Sequence, residues 1–150
     1  MEPVRKLAPF EESLAAILLG AKEAVIGPMR PKLRECGITE PQWRVLRVIN
    51  DRGPTDATGL AEVGLLHAPS VTRILKELEL RCLIIRQPDP ADRRRAVVEL
   101  SSEGHALVED ISQHVAELLG CYAERFGEDR LAQLRADLHA LTCSLRDISH

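Results

Sequence analysis

The chain has 150 residues, of which 45% are hydrophobic, 29% charged and 3% aromatic. This length is typical of one domain, and the shortage of aromatic residues favours a helical core over a β-sandwich. No apolar run approaches the ~20 residues of a membrane-spanning helix, and the first residues lack the apolar segment of a secretory signal. We therefore expect a mainly α (α+β) cytoplasmic protein with no membrane partner.

The charge is unevenly distributed along the chain. The net charge is −3, from 20 basic and 23 acidic residues, and taken alone it argues against a nucleic-acid partner. Residues 68–95, however, hold seven basic and four acidic residues, whereas the rest of the chain holds 13 basic and 19 acidic ones. A basic segment inside an acidic protein is typical of a local nucleic-acid contact.

The first half of the chain predicts four helices. Apolar residues at three- and four-residue steps predict a helix over residues 10–36, with a kink or break at Pro28 and Pro31. A second helix begins after Thr39, whose spacing from Gln42 is that of a capping box, and ends before Gly53-Pro54. Two further helices are predicted over residues 58–63 and 69–81, with the turn GLLH between them.

The second half predicts a hairpin and two long helices. Residues 83–87 and 96–100 are β-prone, and the basic sequence PDPADRR between them predicts a hairpin loop. Ser101 or Ser102 is expected to cap a helix over residues 103–126. The last helix, over residues 128–148, has apolar residues at heptad spacing, which favours pairing between two chains; they are Leu131, Leu134, Leu138, Leu141, Leu145 and Ile148.

Two helices joined by a turn and followed by a basic hairpin are typical of a winged helix-turn-helix domain. The N-terminal residues of its second helix reach base edges in the major groove, and a basic loop fits the adjacent minor groove. From composition alone, a solvated charge run at a hairpin tip is the alternative interpretation. The candidate DNA contacts are Pro69, Ser70, Thr72, Arg73 and Lys76 in the helix and Arg93, Arg94 and Arg95 in the loop.

Over residues 38–104 the sequence resembles the MarR family of bacterial transcriptional regulators. The resemblance is carried by ITEPQWRVLRVI from Ile38, SVTRILKELELRCLI from Ser70 and DRRRAVVELSSEG from Asp92. The last segment matches the family's wing signature, D-x-R followed by five or six residues and then Leu-Thr/Ser-x-x-Gly. The N-terminal stretch is most similar to the repressors of homoprotocatechuate operons, which control the breakdown of hydroxylated phenylacetates.

The resemblance implies a single MarR-type chain over residues 1–150. It implies a winged-helix DNA-binding lobe over residues 38–100 and dimerisation helices over residues 8–36 and 102–150, and hence a homodimer on a pseudo-palindromic operator. It places Arg94 in the minor groove of double-stranded DNA, with Asp92 orienting its guanidinium. Alternation along an extended strand would then turn the neighbouring Arg93 and Arg95 away.

One position departs from the family pattern. Cys82 stands where the family usually has glycine, just past the predicted recognition helix. Cysteine adopts the left-handed backbone conformation only at a cost, so we expect the turn to differ here.

The resemblance also implies repression relieved by a small ligand, often an aromatic acid, held between the dimer helices and the DNA-binding lobe. An aromatic carboxylate needs a cationic or hydrogen-bonding anchor in an apolar cleft. The candidate residues on the elements that line the family's pocket are Arg30, Trp43, Arg44, Arg47 and His67. Core packing for the tryptophan and surface charge for the arginines are the alternative interpretations.

Two other functions compete with that of a ligand-released regulator. The sequence has no nucleophile elbow, P-loop, HExxH or GxGxxG motif, so we expect neither an enzyme nor a cofactor. The four cysteines are widely spaced without a CxxC pair, so we expect no metal site. A redox-sensing regulator acting through the Cys36 or Cys82 thiol stays as the alternative, although the family's thiol sensors carry their cysteine early in the first helix.

Overall fold

A computed structural model describes residues 6–149, with the backbone only for Ser149. Residues 1–5 and 150 lie outside this range, so the predicted single chain over residues 1–150 and the dimerisation segment over residues 102–150 extend beyond the described residues. The described part is mainly helical with one small antiparallel sheet, as predicted. Its elements are α1 Leu14–Ile26, α2 Arg30–Glu35, α3 Glu40–Arg52, α4 Ala57–Gly64, α5 Ala68–Leu80, β1 Ile84–Pro88, β2 Ala96–Leu100, α6 Ser102–Phe126 and α7 Glu128–Leu145.

The helix boundaries follow the local chemistry of the sequence. The predicted break in the first helix is a 3₁₀ turn at Gly27–Met29, which separates α1 from α2. The capping box is present: Thr39 Oγ1 accepts from the Gln42 N–H at 3.2 Å, and the Thr39 N–H donates to Gln42 Oε1 at 3.0 Å. The last helix ends at Leu145, earlier than predicted, and continues as a 3₁₀ turn.

The chain divides into two compact units, one up to Ser112 and the other from Gln113 onward. In the first unit, α3 packs against α4, α5 and β2, and α5 packs against β1. The helices α3 and α5 each bury an apolar stripe: Trp43, Val45, Leu46, Val48 and Ile49 on α3, and Val71, Ile74, Leu75 and Leu78 on α5. No helix within residues 6–149 is long and apolar enough to span a membrane.

The two strands pair antiparallel, from Ile84 opposite Leu100 to Pro88 opposite Ala96. Outside the hairpin, Thr55 and Val98 exchange both backbone hydrogen bonds, at 3.1 and 2.9 Å. The segment before α4 is therefore tied to β2 by one isolated β-bridge.

The chain passes from α5 into β1 through a left-handed residue. Cys82 has φ +57°, its N–H donates to the Glu79 carbonyl at 3.0 Å, and the Leu83 N–H donates to the Leu78 carbonyl at 3.0 Å. This pair of bonds is a Schellman motif, the usual glycine-ended helix C-terminus. The expectation of a different turn at Cys82 is therefore wrong, because the hydrogen bonds of this turn hold cysteine in the left-handed conformation.

The Ser and Gly of the wing signature close the same junction from the other side. Ser101 Oγ donates to the Cys82 carbonyl at 2.6 Å and accepts from the Gly104 N–H at 3.0 Å, so Ser101 caps α6. The Ser101 N–H donates to the Leu83 carbonyl at 3.1 Å. A Cβ on Gly104 would lie 2.1 Å from that carbonyl oxygen, so only glycine fits without a backbone shift.

Replacing Cys82 by glycine should stabilise the protein. The left-handed conformation costs a residue with a Cβ about 1–2 kcal/mol, and glycine avoids this cost. The Cys82 side chain is exposed, so little packing is lost. We expect Cys82→Gly to raise the free energy of unfolding by about 1 kcal/mol in chemical denaturation at a fixed protein concentration.

Cys82→Ala is the matched control for this experiment, because it removes the thiol and keeps the Cβ. We expect it to leave the free energy of unfolding nearly unchanged. A Cys82→Gly variant no more stable than Cys82→Ala would show that the turn is unstrained.

Candidate nucleic-acid interface and ligand pocket

Helices α4 and α5 form the helix-turn-helix. Asp56 caps α4, with its Oδ1 accepting from the Gly59 N–H at 2.8 Å. The helix ends at Gly64, and the next residue, Leu65, has φ +55° and is 83% exposed. Helix α5 then begins at Ala68, so Pro69 lies in its first turn as predicted.

The exposed face of α5 carries the predicted base-contacting residues. Arg73 and Lys76 are exposed, and the stripe from Val71 to Leu78 faces the core. Arg73 Nε lies 3.9 Å from Glu77 Oε1 with 71% of its side chain exposed, and such an open pair contributes little to stability. The candidate set on this helix, Pro69, Ser70, Thr72, Arg73 and Lys76, therefore lies within the first three turns of one helix.

Helix α5 is fixed to α3 by a polar contact that the sequence pattern did not reveal. Gln42 Nε2 donates to Glu77 Oε2 at 2.8 Å, and Gln42 is only 8% exposed. Its amide thus serves the capping box of α3 and the recognition helix together.

The wing loop is ordered by two aspartates. Asp89 Oδ1 accepts from the Ala91 N–H at 2.9 Å, and Asp92 Oδ1 accepts from the Arg94 N–H at 3.1 Å. Asp92 therefore contacts the backbone of Arg94 in the free protein. The expectation that Arg93, Arg94 and Arg95 alternate along an extended strand is wrong. Strand β2 begins only at Ala96, and Arg93 and Arg94 lie in a turn.

The basic segment divides into residues with protein partners and residues without them. Arg95 Nη2 lies 3.1 Å from Asp56 Oδ2, and Arg86 Nε lies 3.4 Å from Glu79 Oε2. Among the described residues, the charged ends of Lys76, Arg93 and Arg94 make no hydrogen bond or ion pair. These three are the cations free to meet a phosphate or a base.

Arg81 has a structural role that the sequence did not predict. Its guanidinium donates to the carbonyls of Cys36, at 3.0 Å, and Gly37, so it caps the end of α2 from the end of α5. The glycine at position 37 is the sequence signal for a helix end there, and in the structure it has φ +65°. The partner from α5 has no local signal, since only the tertiary fold brings it close.

Three of the five predicted effector residues line one open pocket of about 360 Å³. The buried Trp43 and the side chains of Arg44 and Arg47 come from α3, and the end of α4 with Leu65 forms the opposite wall. A volume of this size suits a small ligand. Glu40 and Asp51 also line the pocket, so its two arginines face two carboxylates.

The two pocket arginines differ in how firmly they are held. Arg44 Nη1 donates to the Gly64 carbonyl at 3.0 Å and to the Leu65 carbonyl at 3.2 Å, and its Nη2 donates to Glu40 at 3.0 Å. Arg47 makes only a 3.9 Å ion pair with Asp51, and 54% of its side chain is exposed. A ligand anion can therefore bind Arg47 with less loss of existing protein contacts than it would cause at Arg44.

The other two predicted effector residues do not line this pocket. The Arg30 guanidinium forms a bidentate ion pair with the Glu23 carboxylate. Its hydrogen bonds lower the pKa of the Glu23 carboxyl. His67 is the residue before α5, and its side chain makes no capping bond. Within residues 6–149 no three His, Cys, Asp or Glu side chains are grouped as metal ligands would be.

Comparisons with known proteins agree with this architecture. The MarR family model matches residues 38–96. The transcriptional regulator FarR of Neisseria gonorrhoeae is 34% identical over 142 residues, which are 93% of this chain and 97% of that protein. The homoprotocatechuate degradative operon repressor of Escherichia coli is 30% identical over 125 residues, which are 83% of this chain and 84% of the repressor.

A solved structure extends the similarity to the fold. The crystal structure of NadR in complex with 4-hydroxyphenylacetate is 32% identical to this chain, with a TM-score of 0.79. The alignment covers 91% of this chain and 96% of NadR. Sequence and fold lead to the same conclusion: the chain belongs to the MarR family of transcriptional regulators.

Proposed function

We propose that the protein is a repressor that binds a pseudo-palindromic operator as a homodimer and is released by a small aromatic carboxylate. The observation that carries the DNA-binding part is the polar face of α5 together with a wing whose Arg93 and Arg94 have no partner in the described chain. A helix face of this kind suits a major groove, and free guanidiniums suit the adjacent minor groove.

The exposed apolar helices support a homodimer. Helix α1, LAAILLGAKEAVI, buries none of its residues, and Leu14, Ile17 and Leu19 are each more than half exposed. An isolated helix of this length is marginally stable in water, so an apolar one needs a covering surface. Helix α7 also buries no residue and exposes Leu134, Leu138 and Leu145 of the heptad seam. A second copy of the chain supplies matching apolar faces, as a two-fold interface requires.

The wing supports a prediction whose sign opposes simple electrostatics. Asp92→Ala removes a negative charge near DNA, yet it also removes the acceptor that orders the Arg94 backbone. We expect Asp92→Ala to weaken DNA binding by about fivefold, the equivalent of one hydrogen bond. Arg94→Ala should weaken it more, by about 2–3 kcal/mol, and more than Arg93→Ala does.

Asp92→Asn is the matched control, because asparagine keeps the side-chain oxygen and loses the charge. It should bind at least as tightly as the natural protein in titrations of selected DNA at fixed salt. Tighter binding by Asp92→Ala than by the natural protein would show that Asp92 acts only through its charge.

The pocket on α3 supports the effector part of the proposal. A buried indole beside an exposed guanidinium matches an aromatic ring bearing a carboxylate. The similarity to a homoprotocatechuate operon repressor and to NadR bound to 4-hydroxyphenylacetate supports the same ligand class. We assign the ring to Trp43 and the carboxylate to Arg47, which has the weaker protein partner of the two arginines.

Arg44 supplies a route from this pocket to the DNA-binding helices. It lines the pocket, and its Nη1 holds the carbonyls of Gly64 and Leu65 at the turn between α4 and α5. The carboxylate bound by Arg47 brings a further negative charge into the pocket that Arg44 lines, and its attraction for the Arg44 guanidinium weakens the bonds between Arg44 and this turn. The ligand thereby changes how α5 is presented to DNA.

Trp43 is the only tryptophan in the sequence, so its fluorescence reports on the pocket directly. We expect 4-hydroxyphenylacetate to change the Trp43 emission of the natural protein and to lower its affinity for DNA. Arg47→Gln should weaken the binding of this probe by about tenfold or more, because a hydrogen-bonded charge pair is lost. The uncharged 4-hydroxyphenylacetamide should bind both proteins equally weakly.

Arg52→Gln is the control for Arg47, because Arg52 lies exposed on the same helix outside the pocket. It should respond to 4-hydroxyphenylacetate as the natural protein does. Full response by Arg47→Gln would place the carboxylate elsewhere.

Sensing through the Cys36 thiol is not supported by the structure. Burial raises the pKa of the Cys36 thiol, and this effect outweighs the opposing charge of Lys32. A raised pKa leaves less of the reactive thiolate at neutral pH.

A further inference from the structure

Arg95 differs from the other two arginines of the wing in having a partner inside the DNA-binding lobe. Its Nη2 lies 3.1 Å from Asp56 Oδ2. The Asp56 side chain is 28% exposed and that of Arg95 58%, so this pair is more sheltered than the open pair of Arg73 and Glu77. Arg93 and Arg94, the two residues before it, make no such contact.

Asp56 is fixed independently of Arg95. Its Oδ1 caps α4 through the Gly59 N–H at 2.8 Å, which leaves Oδ2 for the guanidinium. The preceding residue, Thr55, is bonded in both directions to Val98 of β2. The carboxylate therefore has a set position at the start of the helix-turn-helix, beside the strand that leaves the wing.

The backbone of Arg95 closes the wing loop. Its carbonyl accepts from the Asp89 N–H at 2.8 Å, and its N–H donates to the Asp92 carbonyl at 3.0 Å. The same residue thus joins the two arms of the loop through its main chain and ties the loop to α4 through its side chain.

We propose that Arg95 is a positioning residue of the wing and not a ligand of DNA, an inference that rests on the proposed DNA-binding function. Its ion pair with Asp56 sets the direction of the wing relative to α4 and α5 before DNA arrives. Ordering the wing in the free protein lowers the entropy lost when wing and recognition helix bind together. Arg93 and Arg94 are left to meet the DNA.

The test measures DNA affinity over a series of salt concentrations for Arg95→Gln, Asp56→Asn and the double variant. Asparagine is as good an N-cap as aspartate, so Asp56→Asn removes the ion pair and keeps α4 capped. We expect each single variant to bind about two- to fivefold more weakly per half-site, the range for a partly exposed pair. The double variant should bind no more weakly than either single one, and the salt slope should stay unchanged in all three.

Arg93→Gln is the control within the wing. It also removes one positive charge from the loop, but the Arg93 guanidinium has no ion pair among the described residues, so no contact within the protein is lost. If Arg95 instead binds a phosphate, Arg95→Gln should lower the salt slope by about 0.9 per contact, or ~1.8 for a homodimer. Asp56→Asn would then bind DNA as tightly as the natural protein or more tightly. Either result would overturn the proposal.

A second measurement needs no DNA and separates this proposal from the proposed function. Amide hydrogen exchange over residues 89–95 should be faster in Arg95→Gln and in Asp56→Asn than in the natural protein, and unchanged in Arg93→Gln. Unchanged exchange in the first two variants would show that the pair does not hold the wing, whether or not the protein binds DNA.

Discussion

The backbone junction at Cys82, Leu83, Ser101 and Gly104 is the constraint on which the DNA-binding lobe depends. The left-handed Cys82 ends α5, its carbonyl accepts from Ser101 Oγ, and the same hydroxyl caps α6. The close approach of Gly104 to the Leu83 carbonyl leaves no room for a side chain. The recognition helix, the hairpin and α6 are thus joined at one place, and Leu-Ser-x-x-Gly in the wing signature is structural rather than DNA-reading.

Several arginines of the lobe are engaged by partners within the protein. Arg81 caps α2, Arg86 pairs with Glu79, and Arg95 pairs with Asp56. The proposed DNA contacts are then the exposed face of α5 and the cations at Arg93 and Arg94. A net charge of −3 is therefore compatible with binding DNA, because α5 and the wing loop carry cations without a protein partner while several acidic residues are paired.

The parts that could be predicted from sequence are those with a local pattern. The apolar steps of α3 and α5, the capping box at Thr39 and the turn-rich loop of the hairpin all follow from residues close together in the chain. The pairs Arg95–Asp56, Gln42–Glu77 and Arg44–Leu65 join distant segments and leave no such pattern, so the free and the occupied arginines could not be told apart. The turn at Cys82 was wrongly expected to differ, because the sequence shows only the local cost of a left-handed cysteine. The hydrogen bonds that offset this cost include one from Ser101 Oγ, which follows the wing in the chain.

Hydroxyl-radical footprinting on DNA selected from a random library for tight binding tests the central claim most directly, since this reagent attacks the sugars of both strands. Two copies that each insert α5 and a wing should protect two symmetry-related segments with centres about one helical turn, ~34 Å, apart. Protection of the minor groove flanking each segment should be lost in Arg94→Ala and kept in Asp92→Asn. A single asymmetric protected segment that Arg94→Ala leaves unchanged would contradict a dimer that reads DNA with both helix and wing.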